Sequence, residues 1–281
     1  MNGPFQAIKS VTLYQGVERI YNELRERGLH GDSALHESQL AEFDQLHYYG
    51  TEPVDEAIHA LAISSNDRVL DIGAGFGGPA RHLASSTQCQ VLAVELQQDM
   101  HNTGMDLTKR CQLDRKVKHI HADIHDYGQT LAAAGGVDHI VSWLAFLHIP
   151  DNKRLLQLCF DSLRPGGLLF FEDFHEQGPF SEAERSSLAS DLYCDELPTL
   201  AGVRDNLEAV GFEQIRVDDL TSSWTTFIAH RLHKWREARP RHLRVHGEQI
   251  FEWLEQFYAV ADHLFAGGNL GGLRAMARKP G

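Results

Sequence analysis

The chain is short of positive charge. Its 281 residues carry 26 lysines and arginines against 39 aspartates and glutamates, for a formal net charge of −13. A nucleic-acid partner needs a basic face, so that class is set aside. Long hydrophobic runs are missing too: no apolar stretch approaches the ~20 residues that span a bilayer. The opening MNGPFQAIKS has neither the charged nor the hydrophobic region of a signal peptide, so the expectation is a cytoplasmic chain with no membrane partner. Cysteine is scarce. Four residues, Cys89, Cys111, Cys159 and Cys194, stand apart with no C-x-x-C pair, which argues against a disulfide framework and against a zinc site of that kind. Repeats and low-complexity segments are absent as well, while the 42% hydrophobic and 23% charged content are ordinary for a folded globule.

What is present begins with Val69-Leu70-Asp71-Ile72-Gly73-Ala74-Gly75-Phe76-Gly77-Gly78-Pro79. Arg68 to Leu70 read as the end of a buried parallel strand, and Ala80, Arg81, His82 and Leu83 begin a helix. Glycine supplies positive φ and lets backbone amides approach a ligand closely. A tight strand-to-helix turn also aims the helix N-terminus at whatever lies above it. A second strand, Gln90 to Val94, ends on Glu95, an acid placed roughly 20 positions on to accept from the hydroxyls of a ribose. Together the turn, helix and acid predict nucleoside binding, in which Asp71, Gly73, Gly75, Glu95 and Gln97 take part. On these features alone a dinucleotide and another nucleoside both remain open.

Strands and helices alternate from 67 to 175, which predicts a parallel sheet covered on both faces. The third strand, Val117 to Ile120, runs into His121-Ala122-Asp123-Ile124-His125. Period-two spacing would set His119, His121, Asp123 and His125 on one side of an extended strand, a pattern that invites a metal reading. Parallel strands end near such a position, so the alternation should lapse and no metal is expected. The fourth strand is Val137 to Ser142, and Trp143-Leu144-Ala145-Phe146-Leu147-His148 follows it. Ligands of open α/β sheets bind beyond the carboxyl ends of the strands, which brings His148 to the site as a candidate base. A histidine packing locally is the alternative.

Before the sheet, Leu13, Val17, Ile20, Tyr21 and Leu24 mark one face of a helix. A second helix is predicted over Ser38–His47, and a third after Thr51 and Pro53. Tyr48 and Tyr49 beside Gly50 are either aromatic staples over the core or contributors to the active site. After the sheet, Leu197–Gly211 reads as a helix and Phe212–Val217 as a strand, and Leu273–Arg278 as the last strand. The interruption between these strands carries two helices with aromatic faces.

These features resemble the class I S-adenosylmethionine-dependent methyltransferases, whose glycine turn passes beneath the methionine moiety of the donor. The segment Ser142 to His148 narrows the resemblance to the phosphoethanolamine and sarcosine/dimethylglycine N-methyltransferases, which share a serine and a following L-H at this spacing. Leu207-Glu208-Ala209-Val210-Gly211-Phe212, Asp218-Asp219-Leu220-Thr221 and Trp224 run parallel to the phosphoethanolamine enzymes. The resemblance implies an α/β, Rossmann-like, seven-stranded and mostly parallel sheet with an antiparallel C-terminal strand. It implies N-terminal helices over residues 1–66, and a methyltransferase domain over 67–281 with a helical lid insertion at about 221–268. The cofactor it implies is S-adenosyl-L-methionine, with Asp123 on the adenine amino group, Ile124 against the ring, and Ser142 at the end of the fourth strand. His148 would act with an N-terminal tyrosine, Tyr48 or Tyr49.

The departures matter. The family has an aspartate where this chain has Leu144, and a phosphate-gripping arginine and tyrosine near Tyr193 and Asp195. A phosphobase is therefore not expected. The expected activity is methylation of a small molecule, first at the nitrogen of an amine. Alternatives are S-, O- or C-methylation of a thioether, hydroxyl, sterol or quinone, and a non-catalytic cofactor-binding subunit. Ser142-Trp143-Leu144-Ala145 is not the N/D-P-P-Y motif of DNA or amide-side-chain methylation. The insertion serves equally as a lid or as a dimer face, which leaves a homodimer open.

Overall fold

The computed structural model describes residues 16–281. Leu13, placed by the sequence on the first helical face, lies outside them. The described chain opens with α1 (Glu18–Glu26), α2 (Glu37–Leu40) and α3 (Glu52–Leu61). A seven-stranded sheet then forms from β1 (Arg68–Ile72), β2 (Gln90–Glu95), β3 (Val117–His121), β4 (Val137–Trp143), β5 (Leu163–Glu176), β6 (Glu213–Asp219) and β7 (Leu270–Arg278). Its order is β3-β2-β1-β4-β5-β7-β6, with β1 to β5 parallel and β7 antiparallel to both β5 and β6. This is the expected fold class. The order reverses between β1 and β4, and the crevice beyond their carboxyl ends is where such sheets bind ligands.

The helices between strands are α4 (Gly78–Thr87), α5 (Gln98–Arg110), α6 (Ile124–Ala133), α7 (Asn152–Ser162), α8 (Glu182–Asp191) and α9 (Leu200–Val210). Successive strand residues point to opposite faces, so β1 splits its apolar side chains between two layers. Leu70 and Ile72 join Leu131, Leu155, Leu156 and Leu207 of α6, α7 and α9. Val69 joins Val54, Ala57 and Leu61 of α3 and Leu83 of α4. Each fully buried aliphatic side chain contributes about 1.5–3 kcal/mol of transfer free energy, so the two layers fix the sheet from both sides.

Between β6 and β7 the chain forms α10 (Thr221–Glu237), α11 (Arg239–His246) and α12 (Glu248–Ala266), three helices where the sequence predicted two. Pro240 in the first turn of α11 and Gly247, φ +83°, after it make the extra breaks. Trp224 of α10 lies on the backbone of β7: a Cβ at Gly272 would stand 2.3 Å from its ring. α11 is tied to α1 by charge, with Arg241 forking onto Glu23 at 2.6 and 2.9 Å and Arg244 forking onto Glu26 at 2.6 and 2.8 Å.

Local predictions fail where side chains are claimed by distant partners. The helix expected over Ser38–His47 is one turn, α2, because Asp44 is drawn across to Arg81 and His47 stacks on Trp143. α9 starts at Leu200, not Leu197, since the Thr199 hydroxyl accepts from Gly202 N at 3.0 Å. β3 stops at His121, and Asp123 caps α6 by accepting from His125 N at 2.9 Å, so the period-two row of histidines lapses. α8 was not foreseen, although Ser181 and Glu184 form a reciprocal capping box at its start. No helix of the described residues is long and apolar enough to cross a membrane.

Candidate active site

The turn after β1 holds Gly73 at φ +73° and Gly75 at φ +55°. Ala145 packs directly on the first: a Cβ at Gly73 would come 2.3 Å from Ala145 Cβ. Only glycine fits there. The Gly75 amide donates to Glu95 Oε2 at 2.8 Å and the Gln97 amide to Oε1 at 2.7 Å, which locks the end of β2 to the turn. Burial raises the Glu95 pKa, against the pull of those amides.

Above the turn is an open cleft of about 970 Å³. Gly73, Gly75, Glu95 and Gln97 line one wall, Asp123 and Ile124 another, and Leu144, Ala145 and His148 a third. The carboxylate of Glu95 faces a space walled by Leu96, Met100 and Ile124, which suits a ribose beneath a purine. Asp71 lies under the turn. Burial, reinforced by the charge of Glu95, pushes its carboxyl up to about 8, and its Oδ2 has no hydrogen-bond partner among the described residues.

Asp71 does not line the cleft, and three further expected site residues stand elsewhere. The Ser142 hydroxyl donates to Ile72 O at 2.9 Å and ties β4 to β1, so it is spent on the sheet and does not line the cleft. Tyr48 is buried in an aromatic cluster with Trp224 (centroids 4.7 Å) and Phe227 (5.2 Å). Tyr49 donates its hydroxyl to Ser223 O at 2.7 Å, pinning the start of α10. Both tyrosines act as staples, and neither lines the cleft beside His148.

His148 ends the short 3₁₀ turn Phe146–His148. Leu147 N donates to Asp173 Oδ2 at 3.0 Å beneath that turn. The His148 Nδ1 stands 3.2 Å from Tyr193 O. A carbonyl only accepts, so Nδ1 carries the proton and Nε2 holds the lone pair. Burial lowers the His148 pKa, outweighing the Tyr193 carbonyl, and leaves the ring neutral at pH 7. Burial likewise pushes the Asp173 carboxyl up to about 7, against the amides of Phe174 and Leu147. Leu144, Asp151 and Tyr193 hold φ of +50°, +59° and +52° around this turn. Left-handed backbone at non-glycine residues costs about 1–3 kcal/mol each and gathers where function demands it. His148 also lines a second cavity, with Asp173, Tyr193, Asp195 and Glu196 on its walls.

The sequence reading passed over what holds the N-terminal segment above the cleft. Arg81, fully buried, donates to Asp44 Oδ2 at 2.7 Å and to Thr108 Oγ1 at 3.1 Å. Arg231 of α10 donates to His47 O at 3.0 Å from the other side. Leu46, between these anchors, forms part of the cleft's cover. The signal was Arg81 itself, an arginine on the core-facing side of a helix that has no acidic partner nearby in sequence.

Known proteins bear the same features. A family model described as a methyltransferase domain matches residues 69–167. The chain is 29% identical over 203 residues to the sarcosine/dimethylglycine N-methyltransferase of Halorhodospira halochloris, covering 72% of this chain and 71% of that protein. It is 29% identical over 171 residues to a sterol 24-C-methyltransferase of Eremothecium gossypii, covering 57% of this chain and 44% of that one. The Haemonchus contortus phosphoethanolamine N-methyltransferase 2, solved in complex with S-adenosyl-L-methionine, superposes with a TM-score of 0.80 at 19% identity. That match covers 99% of this chain and 60% of the nematode one, so the chain spans about three fifths of that neighbour. Fold and cleft define a nucleoside-binding α/β enzyme with a covered site. The chain carries a methyltransferase domain over residues 69–167, and both the sequence relatives and the solved neighbour named above are methyltransferases, the latter bound to S-adenosyl-L-methionine.

Proposed function

We propose that this methyltransferase N-methylates a small amine, working in the cytoplasm without a nucleic-acid or membrane partner. The observation that carries the reading is His148: neutral, with its Nε2 lone pair unspent on Tyr193, and lining both the cofactor cleft and the acidic cavity beside it. Asp151, Asp195 and Glu196 outnumber Lys153 on its walls and give that cavity a negative character suited to an amine, with Asp173 adding a carboxyl that burial raises to about 7. The first curated relative methylates nitrogen by its name, which agrees.

In this reading Gly73 and Gly75 pass beneath the donor, Glu95 and Gln97 hold its ribose, and Asp123 and Ile124 hold its adenine. Asp71 supports the turn from below. S-adenosylmethionine, when bound, supplies an activated methyl group on a sulfonium. The chain's own part is alignment, exclusion of water and removal of a proton. The amine nitrogen forms its bond to the methyl carbon as the sulfur–carbon bond breaks, and His148 Nε2 accepts the proton that the nitrogen loses. The segments 16–61 and 221–268 act as the lid, with Arg81–Asp44 and Arg231–His47 as its fastenings. Their aromatic faces are turned onto Phe174 and β7, which favours a lid over a homodimer face.

A second reading rests on Leu144. It packs toward the cluster of Tyr48, Phe174 and Trp224, an apolar wall that suits a thioether or carbon acceptor, as in the sterol relative. Methyl transfer from labelled S-adenosylmethionine to a panel of amines, thioethers, phenols and sterols tests both. Turnover on an amine with none on thioethers or sterols supports the first reading. The reverse pattern overturns it, and cofactor binding without turnover on any acceptor leaves a binding subunit.

A further inference from the structure

A third cavity lies between α1 and the insertion helices α10 and α12, enclosing about 1650 Å³, part of it open to solvent. Its walls are aromatic, with Phe43, Phe227, Trp235, Phe257 and Tyr258 among them. Its charges are unbalanced. Arg19, Arg27, Arg231, Lys234 and Arg241 line it against two carboxylates, Glu23 and Glu42. Both acids are engaged: Glu42 with Arg27 at 2.7 Å, Glu23 with Arg241 at 2.6 Å and His246 at 3.0 Å. Arg19, Arg231 and Lys234 have no salt bridge among the described residues, in a protein whose net charge is −13.

Arg231 is the best placed of the three. Its guanidinium lies over Phe227 at 4.6 Å, Tyr48 at 5.4 Å and Tyr258 at 5.7 Å from the ring centroids, while one nitrogen donates to His47 O. The aromatic faces and that single bond fix the planar fork and leave further N–H groups for an acceptor. Arg19 lies over Phe76 at 5.9 Å. Burial depresses its pKa and the charge of Arg231 acts the same way, while Tyr258 and the carboxylates of Glu23 and Asp44 pull against them. An anion in the cavity that both groups line gains charge-assisted hydrogen bonds.

We propose that this cavity is a binding site for an organic anion, a carboxylate on an apolar body, gripped by Arg231 and Arg19 with Lys234 at the mouth. The aromatic walls take the body and the three cations take the acid. Leu46 lines this cavity and the cofactor cleft alike, so a ligand here bears on the cover of the active site. The acid is either the tail of the methyl acceptor or a separate ligand, and the same chemistry serves both.

The test is binding to the whole chain with its cofactor, so it succeeds or fails independently of the amine reading. Octanoate and 3-phenylpropionate are titrated calorimetrically against octanamide and 3-phenylpropanamide. The acids are expected to bind at least about tenfold more tightly than the amides, the scale of one charge-assisted hydrogen bond. Arg231→Gln should erase most of that preference and Lys234→Gln part of it. Lys234 is exposed, so its replacement leaves the fold intact and S-adenosylmethionine affinity is its folding control, whereas Arg231→Gln, which also loses the bond to His47 O, is checked by thermal unfolding. Equal affinity for acid and amide, failure of the acids to bind, or a preference that survives both substitutions overturns the proposal. Where the preference is seen, competition with the acceptor makes the acid its tail, and binding alongside it makes the acid a separate ligand.

Discussion

β1 is flanked by β2 and β4 and buried on both faces by aliphatic side chains, whereas the cap above it adds to its own apolar clusters a set of long-range ion pairs: Arg81 to Asp44, Arg241 to Glu23, Arg244 to Glu26. The first kind of contact is cheap to specify. Any aliphatic residue of about the right volume keeps the sheet, and its alternation reads directly from the chain. The second kind joins groups 218 residues apart, as in Arg241 and Glu23, and each pair works only if both members are present. In the proposed reading the floor holds the cofactor, and the ion pairs decide how firmly the cover is fastened above it. Four substitutions test that division.

The largest effect is expected at the seam between floor and cover. His148→Ala should lower turnover on an amine by about 10²–10⁴-fold, the range of general acid–base catalysis. Cofactor affinity measured by calorimetry should hardly change. Since burial lowers the His148 pKa, the wild-type rate should be level above pH about 6.5, the ordinary imidazole value, and fall only on the acid side. A variant at full rate with an unaltered pH profile would leave alignment alone as the source of catalysis.

Asp44→Ala strikes the deepest fastening. It leaves the Arg81 guanidinium buried and uncompensated, a loss of about 3–5 kcal/mol. Urea denaturation should show it, and Arg81→Met with Asp44→Leu should recover most of it. If the single substitution costs under about 1 kcal/mol, in the range of an exposed pair, the cap is not anchored there.

This contrast also explains what could be read in the sequence. β1, β2, β4 and the glycine turn announce themselves through local pattern, and Glu95 follows from its place at the end of β2. Ser142 misled because its position predicts a ligand contact, while its hydroxyl has a nearer acceptor in Ile72 O. For Tyr48 and Tyr49 the chain left two readings open, staple or site, for a related reason. Their partners, Trp224 and Ser223, lie more than 170 residues on, in an insertion whose docking no local pattern gives. Asp173 holds the His148 turn through the Leu147 amide and Tyr193 meets the ring through its own carbonyl, and the backbone half of each contact carries no signature in residue type.

On the floor itself, Glu95→Ala should weaken S-adenosylmethionine binding by roughly 1.5–3 kcal/mol, the scale of hydrogen bonds to a charged group. It also removes the acceptor of the Gly75 and Gln97 amides, so part of the loss belongs to the turn. Glu95→Gln narrows the split, since its one amide oxygen still accepts from one of the two amides while the charge is gone. Unchanged affinity in both variants would take Glu95 out of the cofactor site.

The smallest effect should come from the outer fastening, where α11 meets α1. Hydrogen bonds from His246 and Arg241 hold the Glu23 carboxyl well below its usual value of 4.5, although burial works the other way. A depressed carboxylate contributes stability that is fully present above its unfolded pKa and lost as pH falls through the folded one. The fastening is therefore intact at neutral pH and should weaken progressively below pH about 5. Water reaches Arg241, so about 1 kcal/mol is the scale to expect at pH 7. Glu23→Gln should leave the sheet's amide exchange unchanged, speed exchange in α1 and α11, and remove the acid-side loosening seen in the wild-type chain. Faster exchange in β1 or β4 as well would mean that floor and cover unfold together, and that the division between them does not hold.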